Sequence, residues 1–65
     1  MNDTDMLLDA AEFEKTTAAT FERLAADCGS EQLRQQLLEH VQTIQNHQKQ
    51  FAQLMDQLQG QRNPV

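Results

Sequence analysis

Three side chains in this sequence carry the chemistry of metal ligands, and they are Glu14, His40 and His47. Carboxylate and imidazole groups bind Zn²⁺ and iron, and helical di-metal proteins combine inward Glu residues with Glu-x-x-His pairs. The residue three positions before His47 is Ile44, so the Glu of such a pair is missing. The sequence therefore predicts at most three metal ligands per chain, a number that a dimer would double.

A purely structural interpretation of the same side chains is also open. Glu14 then hydrogen-bonds a His or Thr and specifies the register of the helices, because an unpaired buried carboxylate is costly. His40 and His47 then lie at the edge of an apolar stripe, hydrogen-bonded or half exposed to solvent. No nucleophile elbow, phosphate-binding loop, Cys-x-x-Cys or His-Glu-x-x-His motif occurs, so we expect neither an enzyme nor a cofactor other than a metal ion.

The charge is unevenly placed along the 65 residues. Residues 1–29 hold seven acidic residues against Lys15 and Arg23, which gives −5, and residues 30–65 are neutral overall. This distribution repels polyanions, so we expect no nucleic-acid partner and no anionic membrane surface. The longest run of large apolar residues is 6–8, which predicts no membrane span and no secretory signal. The single cysteine excludes a disulfide within the chain and favours a reducing, cytoplasmic compartment.

The periodicity predicts an all-α, two-helix antiparallel hairpin in a single domain. The predicted elements are a helix over 4–28, a turn at 29–30, a helix over 31–59 and a tail over 60–65. Asp3 or Thr4 is expected to cap the first helix and Ser30 the second. Gly29 fits the left-handed position that ends many helices, and Gly60 repeats that signal. So short a turn makes the helices antiparallel neighbours.

Apolar residues follow one side of each predicted helix. On the second helix Leu37, Ile44, Phe51 and Leu58 recur every seven residues. A companion row holds Leu33, His40, His47 and Leu54, and Val41 and Met55 widen the stripe. With the turn centred near residue 29, Glu14 is expected level with Ile44, one helical turn from His40 and His47. Phe21 is expected level with Leu37.

The core of one hairpin is too small for a lone monomer, because only 38% of residues are hydrophobic and there is no Trp or Tyr. We therefore predict that the hairpin dimerises into a four-helix bundle, with the chain itself as the first partner. The predicted self-association core is Leu7, Phe13, Phe21, Leu24, Leu33, Leu37, Val41, Ile44, Phe51, Met55 and Leu58.

Several short stretches resemble the coat F family of bacterial spore coat proteins. They are Cys28-Gly29-Ser30-Glu31-Gln32-Leu33-Arg34, Gln36-Leu37-Leu38 and His47-Gln48-Lys49-Gln50-Phe51 with Met55. That family has a short turn after its first helix, a Leu-Arg pair, and a His four positions before an aromatic residue. The resemblance covers residues 7–56 and implies a ferritin-like helical module with a structural role. Only His47 matches a family motif position.

The sequence thus predicts a structural or protein-interaction module, associated with the spore coat or sporulation of a bacterium. Its expected partners are a second copy and other coat proteins, and its expected location is cytoplasmic or spore-associated. Two alternatives belong to other classes: a metal-binding, ferritin-like dimer that uses Glu14, His40 and His47, and a small regulatory adaptor.

Overall fold

The computed structural model describes the backbone of residues 2–62 and the side chains of residues 2–60. Helix α1 spans Asp3–Asp27 and helix α2 spans Glu31–Arg62. The two pack side by side in opposite directions, in a hairpin of 54 × 19 × 11 Å. The described part of the chain has no strand, so the predicted all-α hairpin is confirmed.

Helix α1 begins one residue earlier than predicted, because Asn2 caps it. The Asn2 side chain accepts a hydrogen bond from the Asp5 backbone N–H at 2.8 Å. This bond satisfies one of the free N–H groups of the first turn. Asp3 and Thr4, the predicted caps, lie inside the helix, where Asp3 and Asp5 favourably face the positive end of the helix dipole.

The turn does not use a left-handed glycine, and the prediction for Gly29 is wrong. The chain leaves α1 through Cys28, whose backbone is extended at φ −77° and ψ 133°. No described residue, glycine or other, has a positive φ. Ser30 caps α2 as predicted, since its Oγ accepts from the Leu33 backbone N–H at 3.2 Å. The reversal therefore comes from one extended residue followed directly by a new N-cap.

The predicted end of α2 at residue 59, before Gly60, is wrong, because the helix continues to Arg62. A glycine inside a helix costs about 1 kcal/mol relative to alanine, but it ends the helix only when it adopts the left-handed conformation. Of the predicted tail over 60–65, residues 60–62 are helical, and residues 63–65 lie outside the described part of the chain.

Small side chains of α1 face branched side chains of α2 at the centre of the hairpin. The buried residues are Ala18 and Ala25 on α1 and Val41 and Ile44 on α2, each 5% exposed or less. Ala18, Val41 and Ile44 form one cluster, against which Phe21 packs. Because this core is so small, every other apolar side chain between the helices is only partly covered.

The inner rows of both helices follow alternating steps of three and four residues, which is the spacing of a coiled-coil seam. The inner positions of α1 are Leu7, Ala11, Glu14, Ala18, Phe21 and Ala25, and Cys28 continues this row directly after the helix. Those of α2 are Arg34, Leu37, Val41, Ile44, Gln48, Phe51, Met55 and Leu58. All are buried or half-buried.

Within one hairpin the companion row predicted for α2 lies beside the contact with α1 rather than in it. Leu33 and Leu54 are 48% and 46% exposed, and His40 is also exposed. Phe13, a member of the predicted self-association core, is 72% exposed in the single hairpin. A repeat of seven is satisfied equally by neighbouring rows, and only the packing of α1 on α2 selects Val41 and Met55 for the interior.

Replacement of Gly29 by alanine tests the geometry of the turn. Nothing lies within 4 Å of a Cβ placed at Gly29, and its φ is not positive. Gly29→Ala should therefore raise the free energy of unfolding by about 0.4–1 kcal/mol, because it reduces the freedom of the unfolded chain. Thermal unfolding followed by circular dichroism measures this. A loss of stability would show that Gly29 needs the left-handed conformation after all.

Candidate functional site

The polar centre of the hairpin is a hydrogen bond between Glu14 of α1 and His47 of α2. The Glu14 Oε1 atom lies 3.1 Å from His47 Nδ1. A carboxylate only accepts, so His47 Nδ1 carries the proton and donates it. The Glu14 side chain is 23% exposed and the His47 side chain 44%. The pair therefore links the two helices at the margin of their interface, with solvent on one side.

This hydrogen bond occupies one ring nitrogen of His47, and the other ring nitrogen is available to ligate a metal ion. Nδ1 is held by Glu14, so in the neutral ring Nε2 presents its lone pair away from the carboxylate. Carboxylate–imidazole pairs of this kind orient histidines that ligate metals.

His40 does not join this pair. Its ring packs edge to face on Phe21, with ring centroids 4.7 Å apart and an interplanar angle of 66°. Among the residues that the structure describes, no group of three or more His, Cys, Asp or Glu side chains is placed to hold a metal ion. Of the predicted ligands, Glu14 and His47 meet and His40 stands apart, so a metal site would need ligands from a second copy.

In both contacts between the helices, the α2 residue lies three positions later in the sequence than the residue predicted from the centre of the turn. Glu14 was expected level with Ile44 and contacts His47, and Phe21 was expected level with Leu37 and contacts His40. Three residues are about one helical turn.

Arg34 has a role at the turn that the sequence did not suggest. Its guanidinium donates to the Cys28 carbonyl oxygen at 2.9 Å, and it lies 3.5 Å from the Glu31 carboxylate. Helix α1 has no basic residue in its last turn, so Arg34 provides the positive charge that stabilises this helix end. The sequence does show a basic side chain in the first turn after a helix break. That pattern is so common that it does not by itself indicate a contact with the end of the preceding helix.

One broad side of the hairpin has no Asp, Glu, Lys or Arg between its ends, and we call it the uncharged face. Its rows repeat with heptad spacing beside the inner rows of each helix. On α1 the face consists of Met6, Ala10, Phe13, Thr17, Thr20 and Leu24. On α2 it consists of Leu33, Gln36, His40, Thr43, His47, Gln50, Leu54 and Gln57.

The two helices present these rows on the same side of the hairpin. Met6 of α1 and Leu54 and Gln57 of α2 line one groove between the helices. Seven large hydrophobic side chains are exposed among residues 2–60, and five of them belong to this face: Met6, Phe13, Leu24, Leu33 and Leu54. The other two, Leu8 and Leu38, lie in rows on the opposite side, which also contains Glu12, Lys15 and Lys49.

Three threonines on the uncharged face have their hydroxyl protons already bonded within their own helix. Thr17 donates to the Phe13 carbonyl at 2.9 Å, Thr20 to Thr16 at 3.1 Å and Thr43 to Glu39 at 3.3 Å. These donors need no new partner when water is removed, which lowers the cost of covering the face.

The predicted self-association core divides into two groups. Leu7, Phe21, Leu37, Val41, Ile44, Phe51, Met55 and Leu58 lie in the inner rows between α1 and α2. Phe13, Leu24 and Leu33 lie outside, on the uncharged face. The first group builds the hairpin and is at least half-buried there, and the second group is the more exposed to another molecule.

A double-mutant cycle measures the contact between Glu14 and His47. Glu14→Ala and His47→Ala, alone and combined, should give a coupling free energy of about 0.5–1 kcal/mol, as expected for a partly exposed pair. The matched control cycle replaces Glu12, an exposed acid of the same helix, together with His47, and should give a coupling near zero. Equal coupling in the two cycles would contradict a specific bond. Unfolding by denaturant at one protein concentration supplies all the values.

Neither helix within residues 2–62 is long and apolar enough to cross a lipid bilayer. A family model for the Coat F domain matches residues 2–58 of the chain. Comparison with curated proteins and with solved structures gives no significant match. The match spans nearly the whole hairpin, including the turn and the Glu14–His47 pair. The chain therefore belongs to the Coat F domain family, a family of structural spore coat proteins.

Proposed function

We propose that this chain is a structural component of the bacterial spore coat that acts as a homodimeric four-helix bundle. The uncharged face forms the contact between the two copies, and the outer surface of the bundle binds other coat proteins. Membership of the Coat F family supports the coat role. The observation that carries self-association is the exposure of Phe13, at 72%, in the centre of the uncharged face.

The burial within one hairpin favours a second copy. Only four of the residues whose side chains the structure describes are buried, and two of them are alanines. Small domains are marginal because they cover so little of their apolar surface, and such chains are commonly stabilised by oligomerisation. Complete cover by a partner would contribute about 1.5–3 kcal/mol at Phe13 and about half as much at each of Leu24 and Leu33, which are already half covered.

The size of the face also suits a dimer. The broad side of the hairpin, 54 Å by 19 Å, projects about 1,000 Å², and a stable interface buries about 800 Å² on each partner. Two-fold dimers bring the same patch of both copies together. The rows of the uncharged face contain no Asp, Glu, Lys or Arg to repel one another, and the Glu14 carboxylate beside them is bonded to His47.

Sedimentation equilibrium at micromolar concentration tests self-association. The native chain should sediment at twice its mass of 7.4 kDa. Phe13→Asp should weaken the dimer at least about 30-fold, because a central interface side chain contributes about 2 kcal/mol or more. Leu8→Asp is the matched control, since Leu8 is an exposed apolar residue of α1 on the opposite side. A folded native monomer, or equal weakening by both variants, would contradict the proposed interface.

A fluorescent fusion in sporulating cells of the source bacterium tests the coat role. The native chain should form a ring around the developing spore and should copurify with the coat fraction. Diffuse fluorescence throughout sporulation would contradict the coat role and would favour a regulatory adaptor. Because coat assembly relies on the outer surface, Leu8→Asp and Leu38→Asp should impair recruitment more than they impair dimerisation.

A further inference from the structure

The uncharged face can meet a second copy of itself in two ways, and these differ in where the turns lie. In one arrangement the two-fold axis runs along the hairpin, both turns are at the same end, and α1 lies on α2 of the second copy. In the other the axis runs across the hairpin, the turns are at opposite ends, and each helix lies on its own counterpart. Both arrangements are closed two-fold dimers.

The charge of the two helices distinguishes these arrangements. Helix α1 carries seven acidic residues and two basic residues, a net charge of −5. Helix α2 carries three acidic residues and three basic residues, a net charge of zero. Turns at opposite ends place the two −5 helices in direct contact. Turns at the same end place them on a diagonal, each beside two neutral helices, where their repulsion is weaker.

The acidic residues at the ends of the uncharged face also favour the arrangement with both turns at the same end. In the opposite-end arrangement, alignment of the apolar ends puts Met6 on Leu24 of the second copy. Asp3 and Asp27, each three residues beyond, then meet across the interface, twice in every dimer. In the same-end arrangement each residue keeps its height along the hairpin. Asp3 then lies near the neutral Gln57 of the second copy, because Asp3 and Gln57 line the same groove.

The apolar positions also fit the same-end arrangement. Met6 and Leu54 line the same groove as Asp3 and Gln57, so they lie at the same height along the hairpin. In the same-end arrangement, Met6 of one copy would therefore contact Leu54 of the other. Phe13 precedes Glu14, the partner of His47, and therefore faces the second copy's His47. By the same spacing Leu24 stands opposite Gln36 of the second copy, and Leu33 stands opposite Asp27. Met6, Phe13 and Leu24 thus find uncharged side chains opposite them, and no acidic residue meets another acidic residue.

We propose that two copies of this chain pack uncharged face on uncharged face with their turns at the same end, so that α1 of each copy lies on α2 of the other. This topology rests on the self-association proposed above and adds to it the orientation of the partner. Both turns, with Cys28 and Arg34, then lie together at one end of the bundle.

Cys28 provides a reporter of this topology, because it is the single cysteine of the chain and lies beside the turn. A nitroxide spin label on Cys28 reports the distance between the two turns of a dimer by pulsed electron resonance. With turns at the same end the labels should lie less than about 25 Å apart, since packed helix axes are about 8–10 Å apart. With turns at opposite ends they should lie about 40 Å apart, because each is about 13 residues from the axis at 1.5 Å per residue.

A second labelling position guards against disturbance of the turn by the label. The variant Cys28→Ser with Gln59→Cys carries its label at the exposed open end of the hairpin, and its labels should also lie less than about 25 Å apart. Both variants are measured at concentrations where sedimentation gives twice the chain mass.

The outcomes separate this proposal from the one on which it rests. A monomer in sedimentation overturns the proposed self-association itself. A dimer in which both label pairs lie about 40 Å or more apart leaves self-association standing and overturns the same-end topology. One short and one long distance also overturns it, because a two-fold axis along the hairpin brings both ends together. Two short distances support the proposal.

Discussion

The close approach of α1 to α2 over two alanines is the contact on which the rest of the hairpin depends. Ala18 and Ala25 are 5% and 2% exposed, and their small side chains let Val41 and Ile44 of α2 reach the surface of α1. Larger residues at these positions would separate the helices and expose the few apolar contacts that exist. The same closeness leaves no room for a broad core, so most large apolar side chains remain at the margins.

Polar groups are placed where this narrow interface can accommodate them. Glu14 occupies an inner position of α1, and His47 reaches it from the row beside the inner row of α2. The pair is partly exposed, which reduces the cost of removing charge from water. At the turn, the Arg34 guanidinium bonds the Cys28 carbonyl and so connects the end of α1 to the start of α2. These two contacts hold the helices in one register at the middle and at the closed end.

The outer surface of the hairpin separates two kinds of chemistry. The uncharged face collects Phe13 and most of the other exposed apolar side chains, and its threonines bond their own helices. The opposite side carries charged residues and glutamines. This division suits the proposed function, in which the uncharged face contacts a second copy and the opposite side contacts other coat proteins.

The sequence by itself determined the two helices, the position of the turn and the Ser30 cap, because hydrophobic periodicity and capping chemistry are local properties. It also placed Glu14 and His47 within a turn of each other and identified the Coat F family from short motifs. Only the tertiary structure decided that Val41 and Met55, rather than Leu33 and Leu54, face α1, since a seven-residue repeat is shared by adjacent rows. Only the tertiary structure separated His40 from Glu14, turned Phe13 outward and placed the Arg34 guanidinium on the Cys28 carbonyl oxygen. Each of these outcomes depends on how far one helix is shifted and rotated against the other.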